Sequence, residues 1–114
     1  MSGESERLFA YGTLQQREVQ RALFARDLVG AADMLIGYRL EEIEIADPDV
    51  VDKSGKAVHL IAAPSGDRAD RVTGTAFMLT SAELDAADRY ETKDYARVET
   101  TLASGLTAWV YVKA

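Results

Sequence analysis

The 114-residue sequence contains no cysteine and a single histidine, His59. The first absence excludes disulfides, thiol catalysis and cysteine-ligated zinc. The second removes His-rich metal sites and His-based acid/base pairs. No apolar run approaches the roughly 18 residues of a membrane helix. The N-terminal "MSGESERLFAYG" has no apolar stretch of signal-peptide length, so the expectation is a cytoplasmic protein. Basic residues are in the minority, 13 against 19 acidic ones, giving a net charge of −6. Nucleic acid and anionic membrane would be repelled, and neither is expected as a partner. Repeats, low-complexity tracts and linkers are also missing. One domain over residues 1–114 is expected, with 47% hydrophobic residues to build its core.

What is present reads as an alternation of short elements. Leu8 to Tyr11 is an apolar strand that ends at Gly12. From Thr13, residues Leu14, Val19, Leu23 and Phe24 fit one face of a helix of about three turns, with Thr13 as its N-cap. Tyr38 to Ile45 partly alternates, as a half-exposed strand should. "DPDVVDKSGK" is turn-rich, "AVHLIAAP" is a strand closed by Pro64, and "SGDRAD" is a polar loop. "RVTGTAFML" is a further strand, in which Gly74 signals a bulge or close backbone approach. Thr80 and Glu83 have capping-box spacing, which predicts a helix from Ser81. Its inner side carries Leu84, Ala87 and Tyr90 or Glu91. "YARVETTLA" and "TAWVYVKA" form a hairpin about Ser104-Gly105. Too few helices are present for a doubly wound sheet. The order predicts an α+β domain with a curved, mixed or barrel-like sheet and helices at its side.

Two segments carry chemistry. In Tyr11-Gly12-Thr13-Leu14, a glycine between strand and helix lets a ligand approach without meeting a Cβ. The backbone N–H groups beyond it suit a carboxylate. The competing role is an ordinary strand–helix turn. In "LDAADRYETKDYARV", Glu91 falls where a helix should end. The negative end of the helix dipole disfavours its ionised form, and an apolar site would raise its pKa toward neutrality, as a general acid/base requires. The competing role is a solvated surface glutamate.

Together these segments resemble the γ-glutamylcyclotransferase-like superfamily, particularly its small γ-glutamylamine cyclotransferase-type members. The resemblance rests on Leu8-Phe9-Ala10-Tyr11-Gly12-Thr13-Leu14, then Leu84-Asp85, Tyr90-Glu91, Tyr95 and Arg97. "VTGTAFMLTSAEL" and the terminal "WVYV" extend it over nearly the whole chain. It implies a small mixed β-barrel flanked by helices. It also implies a cofactor-independent, cyclising transferase or lyase that releases 5-oxoproline from a small γ-glutamyl compound. Glu91 would be the acid/base. Tyr11, Gly12, Thr13, Leu14 and Tyr95 would bind substrate, and no metal is implied.

Arg97 would orient or pair structurally, and Tyr95 closes over Glu91. Tyr11 either lines the pocket or bonds substrate, against a packed strand aromatic with a wet hydroxyl. Tyr111, alternating with Trp109, reads as barrel wall. His59 precedes Leu60 where relatives often carry proline, and no role is assigned to it. The chain is short for the family. A catalytically idle binding or interaction protein on the same fold is the alternative. An intact Glu91 beside an intact YGTL favours the enzyme. The sequence is silent on leaving group and oligomeric state.

Overall fold

The computed structural model describes residues 3–44, 48–54 and 58–114. Parts of the Tyr38–Ile45, "DPDVVDKSGK" and "AVHLIAAP" readings therefore lie outside the described residues. Seven strands form one mixed, curled sheet: β1 (Glu6–Ala10), β2 (Val29–Ile36), β3 (Tyr38–Glu44), β4 (Val58–Pro64), β5 (Arg71–Leu79), β6 (Tyr95–Thr101) and β7 (Thr107–Lys113). The α-helices are α1 (Arg17–Phe24), α2 (Pro48–Ser54) and α3 (Ser81–Tyr90). None is long and apolar enough to cross a membrane.

The main path through the sheet runs β2-β5-β1-β7-β4-β3. Strand β7 is its hub. Along one edge it pairs antiparallel with the whole of β6. Its other edge is divided, with β1 parallel to it at Trp109 and Val110, and β4 parallel to it at Val112. The chain leaves β1 where β4 takes over, and the candidate site lies at this divergence.

Both faces of β1 are buried, which is why its apolar residues run without alternation. Leu8 and Ala10 face a core shared with Val19 of α1 and with Leu84, Ala87 and Tyr90 of α3. Phe9 faces a second core built from strand residues and Leu102, among them Leu35, Ala62 and Val110. Gly74 is where backbone approaches backbone. A Cβ there would run into the Ala10 carbonyl oxygen and lie 2.7 Å from Phe9 Cζ. The α3 start is as expected, with a full Thr80/Glu83 capping box. The β6–β7 hairpin turns through Gly105 at φ +90°.

Two local expectations are corrected. The helix after Gly12 does not run unbroken. Thr13–Gln15 is one 3-10 turn, Gln16 is extended, and α1 begins at Arg17. Thr13 is not an N-cap, because its hydroxyl meets the Tyr90 hydroxyl at 2.8 Å instead of a helix N–H. Within the segment read as turns, Pro48–Ser54 is a helix. Proline at the first helical position costs no hydrogen bond and has its φ already set.

Candidate active site

Helix α3 stops at Tyr90, and Glu91 caps it in extended conformation (φ −68°, ψ 138°) while its N–H still reaches the Ala87 carbonyl. That turn of the backbone sends the Glu91 side chain away from the helix and into a pocket. Tyr11, Gly12, Thr13 and Leu14 line one side of the pocket, and His59, Leu60, Tyr95 and Tyr111 line others. All six candidate residues, Glu91, Tyr11, Gly12, Thr13, Leu14 and Tyr95, thus border the same cleft.

No described residue hydrogen-bonds or pairs with the Glu91 carboxylate. Burial pushes its pKa from the usual carboxylate range up to about 8. The negative end of α3 acts in the same direction. Three tyrosines stand near enough to feel its charge, yet each hydroxyl donates elsewhere. Tyr11 donates to the Tyr111 carbonyl (2.6 Å) and accepts from the Ala62 N–H (2.9 Å). Tyr95 donates to the Leu60 carbonyl (2.9 Å) and Tyr111 to Asp88 Oδ1 (2.7 Å). Burial is the main reason all three hydroxyls titrate well above an ordinary tyrosine. Asp88 adds to this at Tyr111, and Glu91 adds at each. They stay protonated at any physiological pH, so none is a base.

The facing wall is main chain. In the 3-10 turn, Gln15 and Gln16 donate to the Gly12 and Thr13 carbonyls. The N–H groups of Gly12, Thr13 and Leu14 have no acceptor among the described residues. Leu14 packs its side chain into the helix-side core, so its N–H is what it offers a ligand. A three-residue turn has little macrodipole, so any anion binding rests on the N–H groups themselves. Buried Gln20 holds the loop in shape. Its amide donates to the Leu14 carbonyl (2.8 Å) and its carbonyl accepts from the Leu28 N–H (2.9 Å).

The sequence reading did not assign Tyr111, His59 or Leu60 to this wall, nor Gln20 to its support. Alternation gave Tyr111 to the barrel wall, and it is both wall and lining. Arg97 pairs with Asp88 through two bonds (2.8 and 3.1 Å) and lies 4.4 Å over the Trp109 ring. Among the described residues there is no group of three or more carboxylates and imidazoles able to hold a metal ion.

Residues 8–114 match the family model for AIG2-like gamma-glutamyl cyclotransferases. The chain belongs to this family. No curated protein matches it. The AIG2-like fold is shared by several solved structures of low identity. The Arabidopsis thaliana protein At5g39720.1 superposes with a TM-score of 0.72 at 20% identity, over 95% of this chain and 68% of its own. A structure described as gamma-glutamyl cyclotransferase gives 0.73 at 14%, over 96% and 66%. An uncharacterized Homo sapiens protein gives 0.72 at 16%, over 97% and 68%. The chain therefore spans about two thirds of the length of these structures.

Proposed function

We propose that this AIG2-like protein is a cofactor-independent cyclotransferase that releases 5-oxoproline from a small γ-glutamyl compound. One observation carries the reading: a partly buried carboxylate with no partner among the described residues faces, across a small pocket, a loop whose N–H groups have no acceptor among those residues either. Such a carboxylate is costly unless a ligand gives it work.

In the proposed reaction, nucleophile and electrophile belong to the same substrate molecule. The protein has mainly to hold a near-attack geometry. The N–H groups of Gly12 to Leu14 hold the substrate α-carboxylate or the oxygen of the γ-carbonyl as it becomes negative. Ionised Glu91 takes a proton from the α-ammonium. The freed amine attacks the γ-carbon and closes a five-membered ring. Protonated Glu91 then returns its proton to the departing nitrogen as the γ-carbon–nitrogen bond breaks. The ring nitrogen sheds its second proton as the lactam forms and the departing amine takes it up, so the products are 5-oxoproline and a protonated amine. A carboxyl group with a pKa near 8 suits both transfers. The substrate's own cation favours ionisation as it docks.

The test is 5-oxoproline release from a panel of γ-glutamyl amino acids, amines and dipeptides, with the wild type and Glu91→Gln in parallel. Release by the wild type, lowered about a hundredfold or more in the variant, is expected. A folded protein silent across the panel would favour a binding role. Equal rates in both proteins would remove Glu91 from the chemistry.

A further inference from the structure

Around Glu91 the charged and titratable groups come from every neighbouring element: Tyr11 after β1, His59 on β4, Tyr95 on β6, Tyr111 on β7 and Tyr90 on α3. Opposite Tyr111 on β6 stands Arg97, whose guanidinium is the cation among the groups that act on Tyr111. One side chain restrains both. Asp88 lies one helical turn before Glu91 on α3. Its Oδ1 accepts from the Tyr111 hydroxyl (2.7 Å) and from Arg97 Nε (2.8 Å), and its Oδ2 accepts from an Arg97 terminal nitrogen (3.1 Å). The guanidinium carbon lies 4.4 Å over the Trp109 ring.

We propose that Asp88 is a positioning residue for the reaction. It keeps the Tyr111 proton and the Arg97 charge away from the Glu91 carboxylate, so the substrate is the first donor that Glu91 meets. This rests on the cyclotransferase reading for its purpose, but not for its physical content. Removing the Asp88 charge leaves Arg97 uncompensated at the Tyr111 end of the pocket, and removing its acceptor oxygens also frees the Tyr111 hydroxyl. Both changes favour ionised Glu91. Asp88 also joins α3 to β6 and β7, so it fixes the helix end from which Glu91 departs.

The decisive measurement is an NMR titration of the Glu91 side-chain carboxyl carbon in the full-length protein, with the His59 ring followed in the same samples. It needs no substrate, so it stands even if 5-oxoproline release is never found. In the wild type the midpoint is expected near 8. In Asp88→Asn, which keeps the side-chain shape and an acceptor for Tyr111, it should fall below the wild-type value. In Asp88→Asn/Arg97→Gln it should return toward the wild-type value. Tyr111→Phe, with the Asp88–Arg97 pair intact, should leave it within about half a unit. Where the enzyme is active, the acid limb of the kcat/KM profile should move with the titration. An unchanged Glu91 midpoint in Asp88→Asn would overturn the proposal. So would a lowered midpoint that removing Arg97 fails to restore. Should Asp88→Asn not fold, Arg97→Gln alone decides: it leaves the Asp88 charge uncompensated, so the midpoint should rise, and a midpoint that is unchanged or falls would overturn the proposal.

Discussion

The Tyr11 hydroxyl donates to the Tyr111 carbonyl oxygen across 2.6 Å and accepts the Ala62 N–H at 2.9 Å. A side chain here occupies a place that a backbone hydrogen bond would otherwise fill. Strands β1 and β4 share one edge of β7, and where they part an Ala62 donor and a Tyr111 acceptor lose their strand partners. Tyr11 supplies both. The opening that results is the pocket, with the tyrosine ring as part of its lining. The same residue thus permits the gap in the sheet and closes it off from the core.

Tyr11→Phe should therefore show its first effect on stability. It keeps the ring and orphans a buried N–H, at a cost of about 1–3 kcal/mol. A urea midpoint lowered accordingly, with an unchanged m-value, is the expected result. Lost activity with an unchanged midpoint would give the hydroxyl to the substrate instead.

Gly12→Ala should do the reverse. A Cβ at Gly12 meets no atom within 4 Å, and φ is negative, so the fold tolerates alanine. Its methyl group stands on the pocket wall beside the N–H groups. Melting should change by less than about 0.5 kcal/mol. The kcat/KM for 5-oxoproline release should fall by roughly tenfold or more as substrate is displaced. Gly74→Ala is the control for a structural glycine, since its Cβ collides with the Ala10 carbonyl. That variant should be unstable whatever its site does.

Features whose cause is local were legible in the sequence. Thr80 and Glu83 are three residues apart, and their capping box is the α3 start. Ser104-Gly105 turns the hairpin because glycine takes φ +90° there without strain. Gly74 announced a close approach that its β1 neighbour supplies. What was misread depends on partners far along the chain or on weak periodicity. Nothing near Thr13 reveals that its hydroxyl is held by Tyr90, 77 positions away. Asp-Pro is a turn signal and equally a helix start, and seven residues are too few for a 3.6-residue pattern to decide. At the site, YGTL and Glu91 stood out through the family resemblance that joins them, because by residue type alone they read equally as a turn and a surface glutamate. The committed tyrosine hydroxyls and Asp88 did not, because which donor meets which acceptor is fixed only by the register of β6 on β7 and the seat of α3.

Gln20→Leu tests whether the N–H wall needs its support. The substitution removes a buried amide that satisfies the Leu14 carbonyl and the Leu28 N–H. A loss of about 1–3 kcal/mol is expected. Faster amide hydrogen exchange at Gln15 and Gln16 should accompany it, because the turn loses its anchor to the segment after α1. Exchange unchanged in the turn while the whole protein weakens would confine Gln20 to core packing.

Glu91 should leave a signature in stability that owes nothing to catalysis. Its folded pKa of about 8 lies above the 4.5 of an exposed glutamate. Below about pH 4.5 both folded and unfolded states hold the proton, and the group costs nothing. As pH rises from there, the unfolded chain ionises while the folded one keeps its proton. Stability falls until the folded carboxyl itself titrates near pH 8, then levels. The accumulated loss is on the order of 2–5 kcal/mol, at 1.36 kcal/mol for each unit of separation. Glu91→Gln has the shape of the neutral acid and cannot ionise. Its urea midpoint should match the wild type near pH 4.5 and exceed it increasingly up to pH 8. The kcat/KM of the wild type should rise over the same upper range, with a limb near pH 8, since only ionised Glu91 accepts the α-ammonium proton. Variant and wild type diverging in stability as pH falls instead would mean that Glu91 is paired and depressed in the folded protein. The base assigned to this pocket would then have to be sought among other groups.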